Sequence, residues 1–128
     1  MRVAIALGLI AGVATSPAAA LTTLQKKSLS LRVGGFASIG TFAQHKRDCT
    51  SLGGATINVT HPPALGRIAL TENAPTVATW SITGSCIGTR QRGTRVDYFA
   101  TSAGVDTFEF DVVFMNGSVH YVVTAKNH

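Results

Sequence analysis

Two cysteines, four histidines, a small set of carboxylates and a short arginine-rich run are the side chains whose types and spacing could do chemistry. Cys49 and Cys86 lie 37 positions apart. That is too far for a CxxC redox pair or for half of a zinc knuckle. In an exported chain the default for such a pair is a disulfide, worth about 3–4 kcal/mol on the chain-entropy account. His45, His61, His120 and His128 stand in no HExxH or other ligand spacing, and the chain has no GxSxG elbow, no P-loop and no GxGxxG. His45 with Asp48 could be written into a triad with a serine, but with 4 His and 6 acidic residues such pairings arise cheaply. Asp97, Asp106, Glu109 and Asp111 cluster in sequence and raise the question of calcium. Against it, a hard-cation site needs about six to eight converging oxygens. No metal and no cofactor are expected.

The basic residues offer a different chemistry. Arg90–Arg95 reads RQRGTR, and Lys46-Arg47 stands just before the first cysteine. A Cys49–Cys86 bridge would bring the two groups together, making Arg90, Arg92, Arg95, Lys46 and Arg47 a candidate anion-binding patch. The three arginines are the better candidates, because a guanidinium grips carboxylate or phosphate with two donors. The competing reading is a solvated loop. Aromatic residues do not interleave with these charges, so nucleic-acid binding is poorly supported.

The N-terminus bears on compartment. Met1–Ala20 reads MRVAIALGLIAGVATSPAAA: Arg2 supplies a positive start, Val3–Val13 an apolar stretch, Pro17 a break and Ala18-Ala19-Ala20 a small-residue cleavage site. This is the pattern of a Sec-type signal peptide, cleaved after Ala20. The apolar stretch falls short of the roughly 20 residues that a membrane span requires. No lipobox cysteine follows it. The expected product is residues 21–128 in the periplasm or outside the cell, and cleavage removes only Arg2 from a net charge of +5. With 45% hydrophobic and 13% charged residues this is a folding composition rather than a disordered one.

The elements that must position these residues read as strands. Runs alternating apolar and polar, punctuated by Gly, Pro and Asn, fill the chain after the leader. Ser28–Val33 puts Leu29, Leu31 and Val33 on one face. Phe36–Phe42 is a weaker strand. Thr56–Thr60 turns Ile57 and Val59 inward and stops at His61-Pro62-Pro63. Arg67–Leu70 and Thr76–Ile82 follow, split by Asn73-Ala74-Pro75. Arg95–Phe99 directs Val96 and Tyr98 one way. The clearest unit is a C-terminal hairpin of Thr107–Met115 and Ser118–Ala125 around Asn116-Gly117, a favoured type I′ pair. That loop sets Met115 opposite Ser118, Phe114 opposite Val119, Val112 opposite Tyr121 and Phe110 opposite Val123. Glu109 then faces Thr124, Asp111 faces Val122, and His120 lies on the polar face. About seven antiparallel strands and one disulfide predict an all-β, Ig-like β-sandwich, with the lone Trp80 in its core. Asn58-Val59-Thr60 and Asn116-Gly117-Ser118 spell glycosylation sequons that only a eukaryotic host would use.

Two stretches carry a family resemblance. Arg95 through Phe110 (RVDYFATSAGVDTFEF) is similar to the V-x-Y-x-P-x-x-G-F-x-G-x-D-x-F-x-Y signature of bacterial Ig-like and cadherin-like domains of exported proteins. Val96 and Tyr98 match its first strand, Gly104 its turn glycine, Asp106 its aspartate, and Phe108 and Phe110 its aromatic pair. Thr60–Leu70 resembles the P-x-x-G-x-(I/V) segment earlier in such domains through Pro63 or Pro62, Gly66 and Ile68. The cysteines are placed as in small single-domain versions of that family. The proline and Gly-Phe of the signature are missing at Phe99–Ala103. The resemblance spans about half the mature chain and implies a fold rather than an activity. It implies a structural turn role for Asp106, whose short carboxylate can accept backbone N–H bonds, as Asn116 and Gly117 would shape the hairpin turn.

The expected function is that of a secreted or periplasmic, non-catalytic binding or interaction module. Its partner would be an unknown protein or an anionic envelope polymer, with no nucleic acid and no membrane span. A structural envelope-associated protein without a discrete ligand is the alternative, and a small hydrolase a more distant one.

Overall fold

The computed structural model describes residues 22–79 and 84–128. The segment expected to be a signal peptide, Met1–Ala20, and Trp80 lie outside the described residues. Eight strands are described: β1 (Thr22–Leu31), β2 (Phe36–His45), β3 (Ser51–Gly54), β4 (Thr56–His61), β5 (Gly66–Val77), β6 (Arg90–Ala100), β7 (Gly104–Phe114) and β8 (Gly117–Asn127). They form two four-stranded sheets, in the orders β1-β8-β7-β4 and β3-β2-β6-β5. Among the described residues no helix is long and apolar enough to cross a membrane.

Alternation along the strands explains how the sheets close on each other. Val96, Tyr98 and Ala100 of β6 and Phe108, Phe110 and Val112 of β7 are buried at every second position, as period-two side chains must be when one face is covered. Ile39, Ala55, Val123 and Ala125 complete the core. Aromatic rings span the two sheets. Tyr98 stacks on Phe108 at 4.8 Å, and Phe42 meets Tyr121 edge-on at 5.4 Å. The all-β sandwich with its Cys49–Cys86 bridge therefore stands.

Four expectations change in detail. The first is strand sense: β1 runs parallel to β8, not antiparallel. The N-terminal strand is added at an edge beside the C-terminal one, so the rest of the domain serves as the long connection that a parallel pair needs. The second is β5, a single strand across Asn73-Ala74-Pro75. A bulge between Thr71 and Ala74 absorbs the irregularity, and Asn73 adopts φ 57°, which Asn tolerates better than most residues. Pro75 is accommodated because β5 is an edge strand that pairs with β6 alone. The third is β3, a short, glycine-containing strand that alternation does not reveal.

The fourth is the hairpin register. The loop is Met115-Asn116, so Phe114 pairs with Gly117, Val112 with Val119, Phe110 with Tyr121 and Phe108 with Val123. Neither Met115 nor Asn116 has positive φ, so the type I′ turn does not form. The pairing is displaced by two residues, and an even displacement keeps every side chain on its face. The hydrophobic pattern is therefore satisfied equally by both registers. In the observed one Phe110 stacks on Tyr121 at 5.0 Å, and His120 comes opposite Asp111.

Phe110 has no exposed surface and touches rings from both sheets. Phe110→Ala is expected to cost about 3–5 kcal/mol through lost burial and a residual cavity. Denaturant unfolding measures this, and a loss below about 1 kcal/mol would contradict the packing described.

Candidate functional site

The disulfide joins the β2–β3 loop to the segment before β6. Lys46 N–H donates to Thr50 O at 2.9 Å, and Cys49 N–H donates to Lys46 O at 2.9 Å, closing a tight loop. Asp48 Oδ1 accepts from Thr50 N–H at 3.0 Å. That backbone bond, helped by the Thr50 hydroxyl and the Lys46 charge, holds the Asp48 carboxyl below its usual value. The loop then packs on β6. The buried Gln91 donates from Nε2 to Cys49 O at 3.0 Å, and Arg92 N–H donates to Ser51 Oγ at 3.2 Å. Cys86 Sγ lies 3.6 Å from Arg47 O.

Lys46 and Arg47 are thus held at the same end of the sandwich as Arg90 and Arg92. The strand alternation divides the arginines. Arg90 and Arg92 share the face of β6 that carries Val96 and Tyr98 further along, but here β6 has run past the core and both are exposed. With Pro75, Thr76, Val77 and Gln91 they line an open groove of about 380 Å³. Arg92 Nη1 donates to Asn73 O at 3.2 Å. Arg95 stands on the opposite face, where its Nε donates to Asp97 Oδ2 at 3.1 Å and its Nη2 to Thr71 Oγ1 at 3.5 Å. Four of the five basic residues share one end, and the fifth is claimed by a carboxylate.

The four acidic residues considered for calcium separate into three places. Asp97 lies on the outer face of β6. Asp106 is 2% exposed, inside the sandwich. Glu109 and Asp111 stand on the outer face of β7. Among the described residues no group of three or more His, Cys, Asp or Glu is arranged to hold a metal ion. His45 Nδ1 lies 2.9 Å from Lys46 O, while Asp48 is engaged with Thr50.

Asp106 is a strand residue rather than a turn residue: it pairs with Ala125 inside the β7–β8 ladder. Its carboxylate does accept backbone bonds, from Ala64 N–H at 2.9 Å and Leu65 N–H at 3.0 Å. These belong to the β4–β5 loop, so it anchors a distant segment. Tyr98 Oη donates to Asp106 Oδ2 at 2.7 Å, and Asn127 Nδ2 donates to Tyr98 Oη at 2.8 Å. Burial pushes the Tyr98 phenol above its ordinary value, so it stays a donor. Gly66 follows the anchored loop, and a Cβ there would lie 2.5 Å from the Tyr98 ring. Asn127 gave no sequence signal, because it is one polar residue next to the end of an apolar alternation.

The register displacement creates a second cluster. His120 Nδ1 donates to Asp111 Oδ1 at 2.6 Å and Nε2 to Glu109 Oε1 at 2.8 Å. Both nitrogens can donate only in the imidazolium form. The bond to Asp111, and then that to Glu109, raises the His120 value above 6.5. By register, Leu24 and Lys26 of β1 and Asn58 and His61 of β4 flank this cluster on the same face.

No protein-family model matches the chain, and no curated protein sequence matches it. The fold is similar to a solved structure described as "Structure of PbICP-C in complex with falcipain-2", with TM-score 0.35 and 12% identity over 87% of this chain and 92% of that one. A likeness of that size assigns no function.

A pH dependence follows from His120. Its folded value lies above 6.5, so the stabilisation from the two ion pairs is complete below the unfolded value and is lost as pH rises through the folded one. Ring proton shifts should place the His120 titration above 6.5, and His120→Gln should remove that part of the stability–pH profile. A ring titrating below 6.5 would contradict the clamp.

Proposed function

We propose that the chain is an exported, non-catalytic binding module whose partner is an anionic envelope polymer. The observation that carries this reading is the groove at the disulfide end, where Arg90 and Arg92 line one concavity beside the Lys46-Arg47 loop. Concavity matters because it lets two guanidiniums meet the same polymer segment, each with paired donors. The bridge and the Gln91 and Ser51 bonds restrain the backbone beneath them, which lowers the ordering cost of binding. The basic balance, a net charge of +5 for the full chain and one less once Arg2 leaves with the leader, adds a longer-range attraction to polyanions. The leader-like Met1–Ala20 and the disulfide both support an oxidising compartment. The Ig-like resemblance gains support from Asp106, which ties one resembling stretch to the other.

The test uses the protein purified from the exported fraction, whose intact mass should lack Met1–Ala20. Wild type should be retained on phosphocellulose at about 0.15 M salt and released as salt rises. Arg90→Gln with Arg92→Gln should weaken retention roughly tenfold or more, because charge-assisted bonds are lost, and should leave the melting midpoint unchanged. Equal retention of wild type and double variant would dispose of the groove.

A further inference from the structure

The outer face of the β3-β2-β6-β5 sheet carries a second arrangement, made by residues that the disulfide end does not use. Three rows cross β2, β6 and β5 in register. The first is Phe36, Phe99 and Arg67; the second is Ser38, Asp97 and Ala69; the third is Thr41, Arg95 and Thr71. Phe36, Phe99 and Arg67 stand on one side of the middle row and Arg95, between two threonines, on the other, while the middle row's flanking members are small. The small flanking side chains leave a shallow trough running about 10 Å across the three strands, with Asp97 buried beneath it.

The side chains on each side of the trough have partners of their own. Phe36 stacks on Phe99 with centroids 5.4 Å apart, although Phe36 remains 62% exposed. The Arg67 guanidinium lies 4.2 Å from the Phe99 ring centroid. A planar cation held on an aromatic face keeps its edge donors free. Across the trough, Arg95 is held through Nε by Asp97 and through Nη2 by Thr71. Asp97 itself is 4% exposed, and its Oδ1 is buried with no hydrogen-bond partner. A buried acceptor without a donor is a cost that calls for an explanation. The Arg95 side chain that shares this carboxylate is 43% exposed and has room to shift.

We propose that this trough binds an acidic saccharide: a pyranose ring bearing a carboxylate. The ring's flat C–H face packs on the Phe36–Phe99 surface. The carboxylate is taken by Arg67 or Arg95, two guanidiniums facing a single protein carboxylate, so the charge balance favours an anion. A ring hydroxyl supplies the donor that Asp97 Oδ1 lacks as Arg95 moves aside. A neutral sugar would leave the arginines unused, and a simple anion would leave the aromatic surface unused. The site is independent of the groove at Arg90 and Arg92, and the two readings can fail separately.

The probe is tetragalacturonate, titrated calorimetrically and by amide shifts into the full exported protein, with maltotetraose and tetraglutamate as comparisons. Tetragalacturonate should bind saturably and shift the amides of Phe36, Ser38, Asp97 and Phe99. Phe36→Ala and Arg67→Gln, both of exposed or partly exposed residues, should each weaken it at least tenfold. Arg90→Gln with Arg92→Gln should change it less than twofold, and maltotetraose should bind at least tenfold more weakly. Absence of saturable binding at millimolar tetragalacturonate would overturn the proposal. So would tetraglutamate binding equally well, which would assign the face to acidic peptides. Loss of binding in the Arg90/Arg92 variant but not in Arg67→Gln would move the saccharide to the disulfide end and overturn it as well.

Discussion

One buried carboxylate ties β7 to a loop and to a strand of the opposite sheet, neither of which shares a ladder with it at that point. Asp106 takes two backbone N–H groups from the β4–β5 loop and the hydroxyl of Tyr98, and Tyr98 takes the amide of Asn127. The loop carries the chain from one sheet to the other. Tyr98 belongs to the second sheet, while Asp106 and Asn127 belong to the first. A carboxylate this deeply buried is tolerable only because donors surround it. Removing any one of them leaves a desolvated oxygen without its bond, at about 1–3 kcal/mol for each unsatisfied group. The aromatic core supplies much of the burial energy, but burial is non-directional. The Asp106 network adds direction: it fixes where the loop docks and how Tyr98 is oriented against Gly66.

A core pinned in this way leaves both outer faces and one end free for other work. The disulfide end carries Arg90 and Arg92 in an open groove, braced by bonds from Gln91 to Cys49 and from Arg92 to Ser51 of β3. The outer face of β7 and β8 carries the His120 clamp, and the outer face of β2, β6 and β5 carries the aromatic and arginine rows. All three depend on strand alternation, because every residue in them occupies a position whose neighbours in sequence are turned the other way. Side chains placed on strands are held more precisely than side chains on loops.

The fold class was legible because period-two burial is written directly into β6 and β7. Val96 and Tyr98, and Phe108 to Val112, alternate without interruption. Register was less legible. The apolar face of the hairpin is unchanged by a two-residue displacement, so the pattern could not separate Phe110 opposite Val123 from Phe110 opposite Tyr121, and Asn116-Gly117 pointed to a turn that does not form. The His120 clamp was hidden for the same reason, since it exists only in the observed register. Asp106 was legible as a backbone acceptor, but its target was not, because Ala64 and Leu65 lie 42 and 41 positions away. Arg95 was grouped with Arg90 and Arg92 by proximity in sequence. Its odd spacing from them, together with Asp97 two positions on, was the available signal that it faces elsewhere.

Amide hydrogen exchange at Ala64 and Leu65 tests the central claim most directly, because these two N–H groups lie in a loop and are bonded only to Asp106 among the contacts described. If the carboxylate pins the fold, both should exchange as slowly as the core amides of β6 and β7, through global rather than local opening. In Asp106→Asn, which keeps the shape but turns one oxygen into a donor, at least one of them should become fast while the β7–β8 ladder stays protected. Fast exchange of both in the wild-type protein would show a loose loop and contradict the account.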